Sequence, residues 1–154
     1  CTGAGTGTLT CAVAASGLGN PTGIAVSGSY AYVADGGTVS ACTGAGTGTL
    51  TCAVAASGFP SAQGIAVSGS YAYVTDNSVG TVSACTGVGT GTLTCTQAAS
   101  GLGNPVGIAV SGSYAYVTDN VAGTVSVCTG AGTGTLTCAV AASGFPSVQG
   151  IAVS

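Results

Sequence analysis

Eight cysteines stand in four Cys-x9-Cys pairs: Cys1/Cys11, Cys42/Cys52, Cys85/Cys95 and Cys128/Cys138. Thiols so placed have two chemistries open to them, a disulfide or a metal site. Repeat symmetry leaves two local disulfide schemes. Joining Cys11 to Cys42, and so on along the chain, strands Cys1 and Cys138. Joining each pair within itself leaves no thiol over. Zinc is the rival reading, but the spacing is longer than zinc sites use and the chain has no His. The expectation is four disulfides, each worth about 2–3 kcal/mol by the chain-entropy model. They place the chain in an oxidising compartment.

The other chemistry-bearing residues are few. Lys, Arg, His and Glu are absent, and the only charged side chains are Asp35, Asp76 and Asp119. One reading makes these carboxylates a ring that binds a cation or sugar hydroxyls. The other makes each a loop Asp that accepts backbone N–H bonds. One carboxylate per unit is few for calcium, which takes roughly six to eight oxygens, so the loop reading is the expectation. Asp76 is expected to lie near Gly101–Pro105. No metal and no cofactor are expected. Ser and Thr have no base to activate them, and no carboxylate pair is near in sequence for acid–base work, so the chain reads as a non-enzyme. Nothing could pair with phosphate, which excludes nucleic acid. The glycine-rich Thr43–Gly48 opens no helix and no Lys follows it, so it reads as a hairpin turn and not a phosphate loop.

These residues recur because the chain does. Gly23-Ile24-Ala25-Val26-Ser27-Gly28-Ser29-Tyr30-Ala31-Tyr32-Val33 returns unchanged at 64–74 and 107–117, and begins again at Gly150. Cys1, Cys42, Cys85 and Cys128 are spaced by 41, 43 and 43 residues. The chain therefore reads as a single array over 1–154: repeats 1–41, 42–84 and 85–127 and a partial repeat 128–154. The first unit is shorter in one loop, where Asp35-Gly36-Gly37-Thr38 replaces Asp76–Thr81 and Asp119–Thr124. Each unit offers four short strands, taken in one unit as Gly64–Ser68, Tyr71–Thr75, Thr81–Cys85 and Thr92–Cys95. Turns at Ser68-Gly69-Ser70 and Thr86–Gly91 and a linker through Gly101 and Pro105 complete it. Four strands per unit of about 40–45 residues predicts all-β, propeller-like blades. Tyr71 and Tyr73 share a face by the two-residue period, and packing between blades is their expected use. The linkers alternate between Gly-Leu-Gly-Asn-Pro, at Gly17 and Gly101, and Gly-Phe-Pro-Ser, at Gly58 and Gly144, so the longer period is a pair of blades.

Composition bounds the rest. The chain has 154 residues, 46% of them hydrophobic and 2% charged. No apolar run reaches the roughly 20 residues of a membrane span. Hydroxyls and backbone must carry the hydration, and O-linked glycan on the outer hairpins, with Thr43, Thr47, Thr49 and Thr51 as one set, would meet that need. Cys1 as first residue and a last repeat that breaks off are read as a window on something longer. At about 3.6 units the array is short of the roughly four to eight blades that close a propeller. It is therefore expected to stay open or to be completed by other chains.

Pro105-Val106-Gly107-Ile108-Ala109-Val110, followed by Tyr114-Ala115-Tyr116-Val117-Thr118-Asp119 and Thr124-Val125-Ser126-Val127-Cys128, resembles the YVTN-type β-propeller repeat, close to NHL-type repeats. The family's tetrapeptide stands as Tyr73-Val74-Thr75-Asp76, Tyr116-Val117-Thr118-Asp119 and Tyr32-Val33-Ala34-Asp35, with Asp where the family has Asn. The resemblance covers the whole chain. It implies four-stranded blades and an extracellular or cell-surface setting. Similar repeats occur in surface-layer proteins, binding modules and lactonase-like enzymes. The enzymes rely on His, Arg and Glu, which this chain lacks. The expected function is an extracellular structural repeat that assembles with itself into a fibre or surface layer. A propeller binding module for glycan or protein is the alternative, and a lactonase-like enzyme the more distant one.

Overall fold

A computed structural model describes residues 1–5 and 7–154. Its described residues form ten β-strands and no helix. The strands are β1 (Pro21–Ser27), β2 (Tyr30–Thr43), β3 (Thr51–Ser68), β4 (Tyr71–Asp76), β5 (Thr81–Thr86), β6 (Thr94–Ala99), β7 (Pro105–Ser111), β8 (Tyr114–Asp119), β9 (Thr124–Thr129) and β10 (Thr137–Ser143). β1 to β6 pair in chain order as one antiparallel sheet, and β7 to β10 pair in chain order as a second. The architecture is all-β and repeat-based, a partial propeller-like array with no closed barrel. No helix among the described residues is long and apolar enough to cross a membrane.

Local sequence explains the hairpins. The two-residue turns at Gly28-Ser29, Gly69-Ser70 and Gly112-Ser113 each need a residue at positive φ, and glycine supplies it at 58°, 58° and 57°. Valine, isoleucine and tyrosine then populate the strands on both sides.

The strand limits differ from the sequence reading in three places. The segment Gly58–Gln63, read as a linker, lies inside the continuous β3. The second and third strands of the first unit run without a break as β2. Both follow from the shortened first loop. It puts Gly36 opposite Ala62, and Ala62 also pairs with Asp76, so β3 belongs to the first unit at one end and the second at the other. The fourth strand of the second unit starts at Thr94 and not Thr92, and runs on to Ala99. Leu93 is drawn out of it because its N–H donates to Ala55 O of the preceding unit at 3.0 Å.

The core lies between units. Counted by four-stranded blade, one cluster joins Tyr32, Val39 and Ala55 of the first blade and Phe59 after it to Ile65, Val74 and Leu93 of the second. Another joins Tyr73, Val82 and Ala98 of the second to Ile108, Val117 and Leu136 of the third. No single sheet could bury both its faces alone, and stacking like units does so.

Candidate functional site

The tyrosines gather at the seams between units. Tyr30 and Tyr32 project from one face of β2 and stack with ring centroids 5.9 Å apart. Tyr71 and Tyr73 do the same on β4 at 6.0 Å. Tyr32 and Tyr73 are fully buried. Each phenol reaches the glycine-rich hairpin of the following unit: Gly89 N–H donates to Tyr32 Oη and Gly132 N–H to Tyr73 Oη, both at 2.6 Å. The outer ring of each pair lies against a second glycine. A Cβ on Gly91 would meet the Tyr30 ring at 3.6 Å, and one on Gly134 would meet the Tyr71 ring at 3.2 Å. The glycines are thus the floor on which the rings lie. A leucine N–H closes the same joint, Leu93 to Ala55 O at 3.0 Å and Leu136 to Ala98 O at 3.0 Å; Leu50 makes the like bond to Ala14 O at 2.9 Å with no tyrosine pair among the described residues beside it.

The aspartates stay apart, one to a unit. Among the described residues no cluster of His, Cys, Asp or Glu could hold a metal ion. Each carboxylate clips the linker that enters its own unit. Asp35 accepts from Gly19 N at 3.0 Å and from Asn20 N. Asp119 accepts from Gly103 N at 2.7 Å, Asn104 N at 3.0 Å and Ala122 N at 2.9 Å. Asp76 accepts from Ser61 N and Ser78 N, both at 3.1 Å. The Asp76 loop lies beside Gly101–Pro105 as expected, since Asn104 Nδ2 donates to Asn77 O at 3.4 Å. The loop also meets that linker through Leu102 N to Gly80 O at 3.1 Å, while the carboxylate itself bonds Ser61 and Ser78. The reason is antiparallel pairing, which sets the end of the second strand opposite the start of the first, as Ala62 opposite Asp76. The alternating linkers matter here. Pro60 stands where Gly19 and Gly103 stand and has no N–H to give, so Asp76 takes one linker bond where the others take two. Burial pushes the Asp119 carboxyl up, but the N–H groups of Ala122, Asn104, Gly103 and Val121 outweigh it and hold its pKa below the ordinary value.

Sequence reasoning missed the threonines beside the aspartates. Thr75 Oγ1 accepts from Gly64 N at 2.8 Å and donates to Val106 O of the next unit at 3.1 Å. Thr118 repeats this with Gly107 N at 2.9 Å and Gln149 O at 3.0 Å. The first unit has Ala34 at that position, and Thr22 Oγ1 supplies the missing donor to Gln63 O at 2.8 Å. One inter-unit bond is kept while its donor moves between strands. The departure of Ala34 from the two Thr-Asp pairs was the available signal.

The four Gly-Ile pairs at 23–24, 64–65, 107–108 and 150–151 line one cavity of about 380 Å³. The outer rim carries the disulfides Cys1–Cys11, Cys42–Cys52, Cys85–Cys95 and Cys128–Cys138. The last three join residues directly opposite each other in the sheet. Thr43, Thr47, Thr49 and Thr51 are all exposed. Thr47 is occupied by the turn, its hydroxyl donating to Gly44 O at 2.8 Å and Thr49 O at 3.1 Å.

Three LVIVD repeats match this chain. They cover residues 18–38, 61–82 and 103–126, and belong to a β-propeller-type repeat family. Each matched stretch holds one aspartate together with linker residues it clips; the cysteine hairpins lie outside. No curated protein matches the sequence. Among solved structures, the crystal structure of the computationally designed Ika4 protein is similar, with a TM-score of 0.64 and 18% identity. The likeness covers 88% of this chain and 80% of that one, and it concerns the fold alone.

Proposed function

We propose that the chain is a non-catalytic, extracellular structural repeat protein that assembles with copies of itself into a fibre or surface layer. One observation carries the reading. The aspartates, buried tyrosines, bridging threonines and cysteines are all engaged in joining strands or units, and the same joint recurs from unit to unit. Apolar side chains such as Ile24, Val26 and Tyr114 stand exposed. Large uncovered apolar faces mark association surfaces, and a contact that repeats without closing builds a filament. The Tyr-Val-Thr-Asp tetrapeptides favour the YVTN type within the wider repeat class. Four disulfides favour an extracellular or cell-surface setting. Thr49 and Thr51 are the better glycan acceptors of the exposed set, since the Thr47 hydroxyl is bound into its turn.

The second reading is a binding module for glycan or protein, and the 380 Å³ cavity favours it. Against it, the loops are nearly alike from unit to unit, whereas a specific site needs differently placed groups. Electron microscopy of native material across a concentration series tests the choice. Filaments or layers with an axial repeat of one or two units are expected. Compact rings of one size at every concentration would refute assembly and favour the binding module.

A further inference from the structure

The two seams between blades make the same contacts but are tied differently along the chain. At the first seam β3 runs unbroken from Thr51 to Ser68, pairing with β2 at one end and β4 at the other, so the first two blades share one sheet. At the second seam no strand among the described residues crosses. β6 ends at Ala99, β7 starts at Pro105, and the two belong to different sheets. The third blade, β7 to β10, is held to the second by seam contacts and by the linker Ser100–Asn104. Gly132 N–H donates to Tyr73 Oη at 2.6 Å, Leu136 N–H to Ala98 O at 3.0 Å and Thr75 Oγ1 to Val106 O at 3.1 Å, around a buried apolar cluster. The linker itself is divided. Gly103 and Asn104 are clipped to Asp119 and so belong with the third blade. Leu102 N–H meets Gly80 O of the second blade. Just before it, Gly101 stands at φ 78° with open space around its Cα, a pivot that needs glycine.

We infer that copies of this chain join by exchanging the third blade: β7 to β10 of one copy seat on the Tyr71–Tyr73 face of a second copy, making between chains the seam that each otherwise makes within itself. This deepens the self-assembly reading and rests on it. The partner surface is fixed, because every contact is one the chain already makes, and no unoccupied face is called on. The first seam cannot exchange in this way without tearing β3 from β2 or from β4. The linker has the reach. Its five residues span about 17 Å when extended, more than the roughly 10 Å between packed sheets. Reciprocal exchange closes a dimer, and exchange passed from copy to copy builds a fibre. Closed and exchanged forms share the same contacts, so concentration sets the balance between them. A short flexible linker holds its blade at an effective concentration of about 1 mM, and exchange competes as the chain concentration approaches that value.

The test uses the 154-residue chain, unfolded in denaturant with its disulfides intact and refolded at about 1 mM. Dimers and longer species are expected, and they should persist for hours after dilution, since release requires a seam to open. Dimer refolded from equal parts of isotope-labelled and unlabelled chain then shows, by isotope-filtered NMR, which chain each seam residue belongs to. Contacts of the Tyr73 ring with Gly132 and Leu136 are expected between chains, while the Tyr32 contact with Gly89 stays within one chain. A shortened variant tests the linker. Ser100 and Gly101 are exposed, and deleting both leaves too little chain for the third blade to seat on its own second blade. The dimeric and longer fraction at micromolar concentration should then rise at least about tenfold. The labelled parent decides the matter even where the shortened chain does not fold. If the parent assembles but Tyr73 meets Gly132 within one chain only, or Tyr32 meets Gly89 between chains, this inference is wrong and the self-assembly reading stands. A folded shortened chain that assembles no more than the parent has the same meaning. If parent and shortened chain both stay monomeric at every concentration, the self-assembly reading fails with it.

Discussion

Gly64 and Gly150 open the same pentapeptide, Gly-Ile-Ala-Val-Ser, yet alanine should act oppositely at the two. Neither needs positive φ, so the difference is one of space. At Gly64 a Cβ would stand 3.1 Å from Thr75 Oγ1 and 3.2 Å from Ile108 N, and closer still to Val106 O, too close for any real Cβ. Val106 and Ile108 belong to β7, so the obstacle is the backbone of the next unit. That strand would have to retreat by about 1 Å in a close-packed interior. Retreat breaks the bond from Thr75 Oγ1 to Val106 O and disturbs the one from Gly64 N to Thr75 Oγ1. Overpacking costs about 1–3 kcal/mol, and each lost bond about 1 kcal/mol. The expected loss for Gly64→Ala is therefore about 2–4 kcal/mol, a fall of roughly 5–15 °C in Tm for a chain of this size. At Gly150 nothing lies within 4 Å of the added Cβ. Gly150→Ala should stay within about 0.5 kcal/mol of the parent. Thermal unfolding of the oxidised chain at a concentration where it is monomeric, followed by circular dichroism, measures both. Equal midpoints for the two variants would refute the claim that glycine is needed here for close approach of neighbouring units.

Asp119→Asn should cost about 1–3 kcal/mol at neutral pH, because an amide nitrogen cannot accept the N–H groups now aimed at the carboxylate. The folded-state pKa is depressed, so the carboxylate's contribution is present above the ordinary value of 3.8 and is lost as pH falls through the lower folded value. The gap between parent and variant should close below about pH 4; a constant gap down to pH 2 would contradict the assignment. Reduction of the four bridges should lower the unfolding midpoint, each closed loop contributing about 2–3 kcal/mol. The outer hairpins should lose amide-exchange protection first, and uniform loss across all strands would argue against a local staple.

What the sequence determines by itself is local. The period of Ile, Val and Tyr, punctuated by Gly-Ser turns, makes the chain all-β and sets its hairpins. Cys42 and Cys52, ten residues apart across one turn, can meet without any help from the rest of the fold. The two-residue spacing of Tyr71 and Tyr73 puts both rings on one face, and the recurrence of each motif makes the chain an array. Contacts between units are decided elsewhere. Tyr32 meets Gly89 across 57 residues, and Thr75 meets Val106 across 31. No spacing rule specifies such partners, because they depend on how one sheet lies against the next. The aspartates show the boundary between the two. Loop position and residue type make them acceptors of backbone N–H. The strand register decides that Asp76 bonds Ser61, by setting Ala62 opposite it. The merging of two units through β3 likewise follows from two missing residues, whose effect appears only when Gly36 comes to lie opposite Ala62.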